Sequence, residues 1–203
     1  WHAIVWITGP PGWGKSTLAA RYVEGGRLPG LWFQADPGDA DPATFFHYLR
    51  VAATDVAGRK AREAAALPTL SAEYASDLPA FTRRFLREFF ALFPPGAVLV
   101  VDNFHEPKGE APWRFAFAEG LREIPQGMNL IVLSREPPVP EMARLVGEQR
   151  ITRIEWEALR FTEDETVALA ASAQIEGDTA RTIHKASDGW AAGIVLMREH
   201  LAR

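Results

Sequence analysis

Short apolar runs rich in β-branched residues alternate along this chain with stretches whose apolar positions recur every three or four residues. The first run, from His2 to Ile7, is nearly unbroken, which is the pattern of a strand buried on both faces of a parallel sheet. Similar runs at Leu31 to Ala35, Ala97 to Val101 and Asn129 to Leu133 predict three more strands. Ile151 to Trp156 alternates instead and predicts a fifth strand at an edge. Between them the helical period predicts a helix from Ser16 to Glu24, ended by Gly25 and Gly26. A second opens at Asp41 as cap with Pro42 in its first turn and runs to about Val56. Helices follow over Leu78 to Phe93, stopped by Pro94-Pro95-Gly96, and over Pro112 to Glu123. A short one covers Glu141 to Val146, after the breaks at Pro137, Pro138 and Pro140.

Residues 58 to 72 form a polar, alanine-rich connection with little periodic signal. Beyond the fifth strand the strands stop. Thr162, Asp178 and Ser187 or Asp188 each stand where a cap would open a helix, the three running toward Ser172, Ala186 and Leu201. Strands alternating with helices indicate an α/β domain with a parallel sheet. We expect that domain over residues 1–160 and a small helical subdomain over 161–203, with the boundary near Ala158 to Thr162. No internal repeat or low-complexity tract is visible.

Composition narrows the classes. A 203-residue chain, 47% hydrophobic and 24% charged, is long enough to bury a core of its own. It has no cysteine, so disulfides and thiolate metal sites are excluded. The net charge of −4 gives no basic footprint across the domain, so direct nucleic-acid binding is not expected of this segment. No apolar run approaches the roughly 20 residues needed to span a bilayer, no signal peptide is evident, and the cytoplasm is the default compartment. The chain opens on Trp1, almost directly into a strand, and closes on a helical pattern; it reads as a piece of a longer protein.

The chemistry is concentrated in Gly9-Pro10-Pro11-Gly12-Trp13-Gly14-Lys15-Ser16-Thr17, which matches the phosphate-binding loop at every specified position and lies between a strand and a helix. Glycines let backbone N–H groups converge on phosphate oxygens, and the following helix aims its free donors and dipole at the same anion. Lys15 is expected to bridge the β- and γ-phosphates, and the Ser16 hydroxyl to ligate magnesium. The loop therefore points to ATP with magnesium, GTP being the alternative. Trp13 within it either lies over a neighbouring subdomain or simply packs.

Val98 to Asp102 is an apolar strand ending in a carboxylate, the form of a Walker B element, where Asp102 would hold magnesium through water. The next residue is Asn103, where many ATPases place a second acid. An amide can orient water but cannot take its proton, so slow hydrolysis is expected. Glu106 is a substitute base or a solvated loop residue, and His105 a residue that orders this loop. If the fourth strand lies between the first and third, Arg135 after Ser134 would face the γ-phosphate and report its presence; the alternative is a surface arginine paired with Glu136.

Taken together, several segments resemble the signal-transduction ATPases with numerous domains, or STAND ATPases, and within them the maltose-activator-like, LuxR-type bacterial transcription regulators. The segments are Trp32 to Leu49, Val100 to His105, Leu133 to Pro138, Leu159-Arg160-Phe161-Thr162-Glu163 and Asp188-Gly189-Trp190-Ala191-Ala192-Gly193. The resemblance implies a P-loop NTPase fold of the additional-strand type, strand order 5-1-4-3-2, followed by a helical subdomain. It also implies a resting state holding ADP, and exchange to ATP that opens the protein and drives self-association. Lys15, Ser16, Asp102 and Arg135 fall on that family's Walker A, Walker B and sensor positions; Asn103 departs from its pattern. Trp190 is either an anchor of the helices on the sheet or a nucleotide contact, and adenine contacts are expected from main-chain groups near His2 to Val5 and from the helical subdomain. A small-molecule kinase is the competing reading, but the stretch from Arg50 to Arg87 carries no motif of an arginine-bearing lid. A GTPase would need an Asn-Lys-x-Asp run, which is absent. An interaction module without nucleotide is disfavoured by the intact Lys15-Ser16 pair.

Overall fold

The computed structural model describes residues 3–201 apart from 57, 72, 73, 75, 109 and 110. Five strands form one sheet: β1 (Ile4–Thr8), β2 (Gly30–Gln34), β3 (Val98–Asp102), β4 (Asn129–Ser134) and β5 (Ile151–Ile154). Their order is β2-β3-β4-β1-β5 and every pairing is parallel, the order expected from the sequence read from the other edge. The register sets Thr8 level with Ser134 and Gln34 level with Asp102, so the C-terminal ends of the strands form one rim. His2 lies outside the described residues.

Alternation along these strands divides the core. Ile4, Trp6, Leu99, Val101, Leu130 and Val132 face one layer, while Ile7, Val98, Val100, Ile131 and Leu133 face the other. The second face receives α1 (Lys15–Gly26) through Ala19 and Val23. The first is covered by α2 (Pro42–Val56), α3 (Ala61–Ala65), α4 (Leu78–Phe90), α5 (Ala111–Gly120) and α6 (Ala143–Gly147). Four-residue spacing puts Phe81, Phe85 and Phe89 on one side of α4, and Phe46 of α2 meets Phe85 at 4.7 Å between ring centroids. Such a side chain contributes about 1.5–3 kcal/mol on burial, so this cluster dominates the packing of that face.

After β5 come a 3₁₀ turn (Trp156–Leu159), α7 (Glu163–Ala171), α8 (Gly177–Ser187) and α9 (Ala191–Leu201). Thr162 caps α7 through a reciprocal capping box with Glu165, as its position suggests. Asp178 does not cap α8: it lies inside the first turn, Glu176 stands at the cap position, and the Asp178 carboxylate is taken by Arg181. Asp188 does not open α9 but closes α8 in a left-handed conformation, φ 51°. Gly25 and Gly26 belong to α1, which Arg27 ends at φ 48°. The stretch 58–72, read as a bare connection, contains a 3₁₀ turn and α3. In each case a side-chain type common at helix ends was present, but the backbone turned a residue or two away. No helix among the described residues is long and apolar enough to cross a membrane.

Candidate nucleotide site

The loop between β1 and α1 is built as its glycines require. Gly12 and Gly14 have φ of 78° and 82°, a region that costs a side chain energy, and Gly14 is the N-cap of α1. The Lys15 ammonium lies along the loop, donating to the carbonyls of Gly9 (2.6 Å) and Pro10 (2.9 Å). Burial lowers its pKa from the ordinary 10.5, the nearby Arg135 lowers it further, and Asp102 acts in the opposite sense. The Ser16 hydroxyl donates to Asp102 Oδ2 at 2.8 Å, although 86 residues separate them. The other oxygen, Oδ1, accepts the Asn103 N–H at 2.8 Å, with Asn103 in the left-handed region at φ 57°. Asn103 thereby holds the Asp102 carboxylate through its backbone, a role its side-chain chemistry did not announce. Pro11 is exposed on the same loop, and Thr17 in the first turn of α1.

β4 runs between β1 and β3, so Arg135 leaves the rim beside the loop. Its N–H donates to His105 Nδ1 at 3.4 Å. His105 Nε2 stands 3.2 Å from Glu106 Oε1 but makes no hydrogen bond of acceptable geometry. Burial, then Arg135, push the His105 pKa below 6.5, while Glu106 and Glu136 oppose this. Glu106 thus stands beside His105 with its carboxylate partly exposed. Thr8 Oγ1, at the end of β1 just before the loop, is buried without a partner.

The closing helices meet the loop directly. The Trp190 indole donates to the Pro11 carbonyl (3.3 Å), and the Ala192 N–H donates to the Gly12 carbonyl (2.9 Å). A Cβ on Gly12 would stand 2.8 Å from both Ala192 Cβ and Trp190 Nε1. Trp190 therefore anchors α9 on the loop's main chain. Trp13 packs edge-on against Trp156 at 4.9 Å, and the Arg160 guanidinium lies 5.9 Å over Trp156. Arg160 pairs with Asp188, and the Phe161 N–H donates to the Gly189 carbonyl (3.0 Å). Between the loop, residues 158–161, α7 and α9 lies an open cleft of about 820 Å³. Its wall includes Gly12, Thr17, Leu159, Arg160, Ala192 and Leu196. Leu159, Arg160 and Ala192 were not singled out one by one; the two motif segments that contain them were their only signal. Val5 does not line the cleft, and β1 is paired on both sides, with β4 and β5.

Among the described residues no group of three or more His, Asp or Glu side chains could hold a metal by itself. Magnesium needs none, because it keeps waters and takes phosphate oxygens with one or two protein ligands. The Ser16–Asp102 oxygen pair fits such a site.

A five-stranded parallel sheet of this order, with a glycine loop passing from β1 into α1, defines a P-loop NTPase of the additional-strand type. No family model matches the chain. It is homologous to MalT, a STAND-type regulator of the LuxR family: 29% identical over 202 residues to the HTH-type transcriptional regulator MalT of Klebsiella pneumoniae subsp. pneumoniae. The same regulator of Cronobacter sakazakii is 28% identical over 202 residues. In both, the match takes in 97% of this chain but 22% of the relative, so the chain spans about a fifth of their length. Among solved structures, a chain from "Structure of Drosophila ORC bound to AT-rich DNA and Cdc6" aligns over all of this chain and 70% of its own length. That alignment has 13% identity and a TM-score of 0.46.

Proposed function

We propose that this chain is the nucleotide switch domain of a larger transcription regulator, binding ATP or ADP with magnesium and hydrolysing ATP slowly. The observation that carries the reading is the joint placement of Lys15 on the loop carbonyls and of Ser16 against Asp102. Both are positions from which these side chains can turn onto a polyphosphate. Gly9, Gly12, Gly14 and Thr17 supply the loop's backbone, Lys15 neutralises phosphate charge, and Ser16 and Asp102 hold the cation, which screens the phosphate charge when bound. Arg135 reads the terminal phosphate and stabilises transferred charge. Asn103 aligns Asp102 and orients water, and with no strong base beside it hydrolysis is slow. The adenine and ribose occupy the cleft between the loop and α9. Because Trp190 and Ala192 hold the loop from that side, occupancy by ATP rather than ADP changes how the closing helices seat. That difference controls opening and self-association of the full-length protein in the cytoplasm. This segment does not itself bind nucleic acid or membrane.

Identifying the nucleotide that co-purifies with the folded chain tests the proposal. Adenine nucleotide, lost in Lys15→Ala, is the expected result. A guanine nucleotide, or unchanged retention in the variant, contradicts it.

A further inference from the structure

On the other face of the sheet from α1, the C-terminal rim carries a second cavity, of about 380 Å³, within the size range of small-molecule sites. Its inner wall is aromatic and almost wholly buried: Trp6, Phe45, Trp113 and Phe117, with Phe104 beside them. An edge contact between Trp6 and Phe104 and a tilted one between Phe45 and Trp113, both at 5.2 Å, fix these rings against one another. Its mouth is formed by exposed residues, including Glu136 and Lys108.

One buried charge breaks the apolar wall. Asp39 is 3% exposed, and its Oδ2 accepts the Asp36 N–H at 2.9 Å. Burial raises its pKa, the backbone hydrogen bond from Asp36 acts in the opposite sense, and the Asp36 charge raises it further. The Arg114 guanidinium, also on the wall, is already committed to Glu141 at 2.9–3.0 Å. The wall thus offers an aromatic surface and, set into it, a buried carboxylate.

The cavity also shares a segment with the nucleotide site. Ser134 and Glu136 line it, and between them stands Arg135. The Glu136 carbonyl accepts the Trp6 indole N–H (3.0 Å), the Ser134 hydroxyl accepts the Glu136 N–H (3.0 Å), and the Arg135 N–H is held by His105, another wall residue.

We propose that this cavity is an effector site for a small organic cation, an ammonium group on an aromatic or aliphatic body, and that its occupant biases nucleotide affinity through residues 134–136. Asp39 takes the ammonium, while the aromatic wall supplies apolar contact and cation–π attraction. The coupling half rests on the nucleotide reading above; the binding half does not. Coupling is reciprocal, so the cation and the nucleotide must alter each other's affinity by the same factor.

The test is calorimetry on the folded chain with three matched probes: phenethylamine, the uncharged 2-phenylethanol and the anionic phenylacetate. Phenethylamine is expected to bind at least tenfold more tightly than either of the others. Asp39→Asn, which keeps the acceptor for Asp36, is expected to remove that tenfold preference. Val139→Phe, a larger side chain at the partly buried rim, weakens binding of phenethylamine by a similar factor. Equal binding of the three probes overturns the proposal, as does no binding by protein that still melts cooperatively. Phenethylamine at saturation is expected to shift ADP affinity severalfold. An unchanged ADP affinity rejects the coupling alone. A chain that binds phenethylamine but no nucleotide rejects the switch reading and leaves the cation site standing.

Discussion

On the proposed reading, Lys15 carries more of the nucleotide chemistry than any other single side chain. Its ammonium is satisfied by the Gly9 and Pro10 carbonyls, so phosphate binding exchanges two neutral acceptors for an anion. Hydrogen bonds to charged groups contribute about 1.5–3 kcal/mol, so Lys15→Ala should weaken ADP binding roughly ten- to a hundredfold. Equilibrium dialysis with labelled ADP measures this directly. Asn103→Asp adds the missing acid at a backbone conformation that Asp tolerates about as well as Asn, and the N–H donated to Asp102 remains. ATP turnover should rise; equal single-turnover rates in the two proteins would remove the second acid as the limit. His105 gives a pH signature. Its folded pKa lies below the ordinary 6.5, so folding disfavours the charged ring. The unfolded chain takes up the proton first, and stability should fall as pH drops below 6.5, until the folded ring titrates as well. Replacing His105 by Gln should flatten that part of the stability profile in thermal melts at pH 5 to 7.

At the scale of elements, the contact between the phosphate loop and α9 is the feature with the clearest consequence. Gly12→Ala would force a left-handed alanine at φ 78° and set its Cβ 2.8 Å from Ala192 and Trp190. The strain costs about 1–3 kcal/mol, and relief requires α9 to back away from the loop. Quenching of tryptophan fluorescence by acrylamide should therefore increase in Gly12→Ala, reporting Trp190 freed from Pro11. Unchanged quenching would show that α9 is not held there. Elements of this kind divide by how local their cause is. The strands, α2 from Pro42 to Val56 and the Thr162 cap were legible in the sequence because period, proline and capping chemistry act over a few residues. Asp178 and Asp188 misled because acidic residues suit helix starts generally, while the actual turns were set by packing of α8 and α9. The glycine loop between β1 and α1 was legible from spacing alone. The seat of Trp190 on Pro11 joins residues 179 apart, and no local pattern encodes it; the Asn103 N–H to Asp102 is a neighbour contact made by a left-handed turn that the residue type permits without specifying.

For the whole molecule, the sheet and the closing helices meet around one loop, so a nucleotide bound there should stabilise the chain as a unit. A ligand at a hundred times its dissociation constant adds about 2.7 kcal/mol. For a chain of this size each kcal/mol moves the melting temperature by roughly 2–4 °C. Saturating ADP with magnesium should therefore raise it by about 5–11 °C in a single transition. A transition that splits, with α7 to α9 melting unaltered, would mean that the closing helices do not share the site.

The most direct measurement of the central claim is calorimetric titration of the nucleotide-free, folded chain with ADP, ATP and GDP in the presence of magnesium. Adenine nucleotides are expected to bind at one site per chain in the micromolar range, with Lys15→Ala weakening both and GDP binding more weakly. Heats no greater than dilution for all three at millimolar concentration would contradict the assignment of the loop around Gly12, Gly14 and Lys15 as a phosphate cradle.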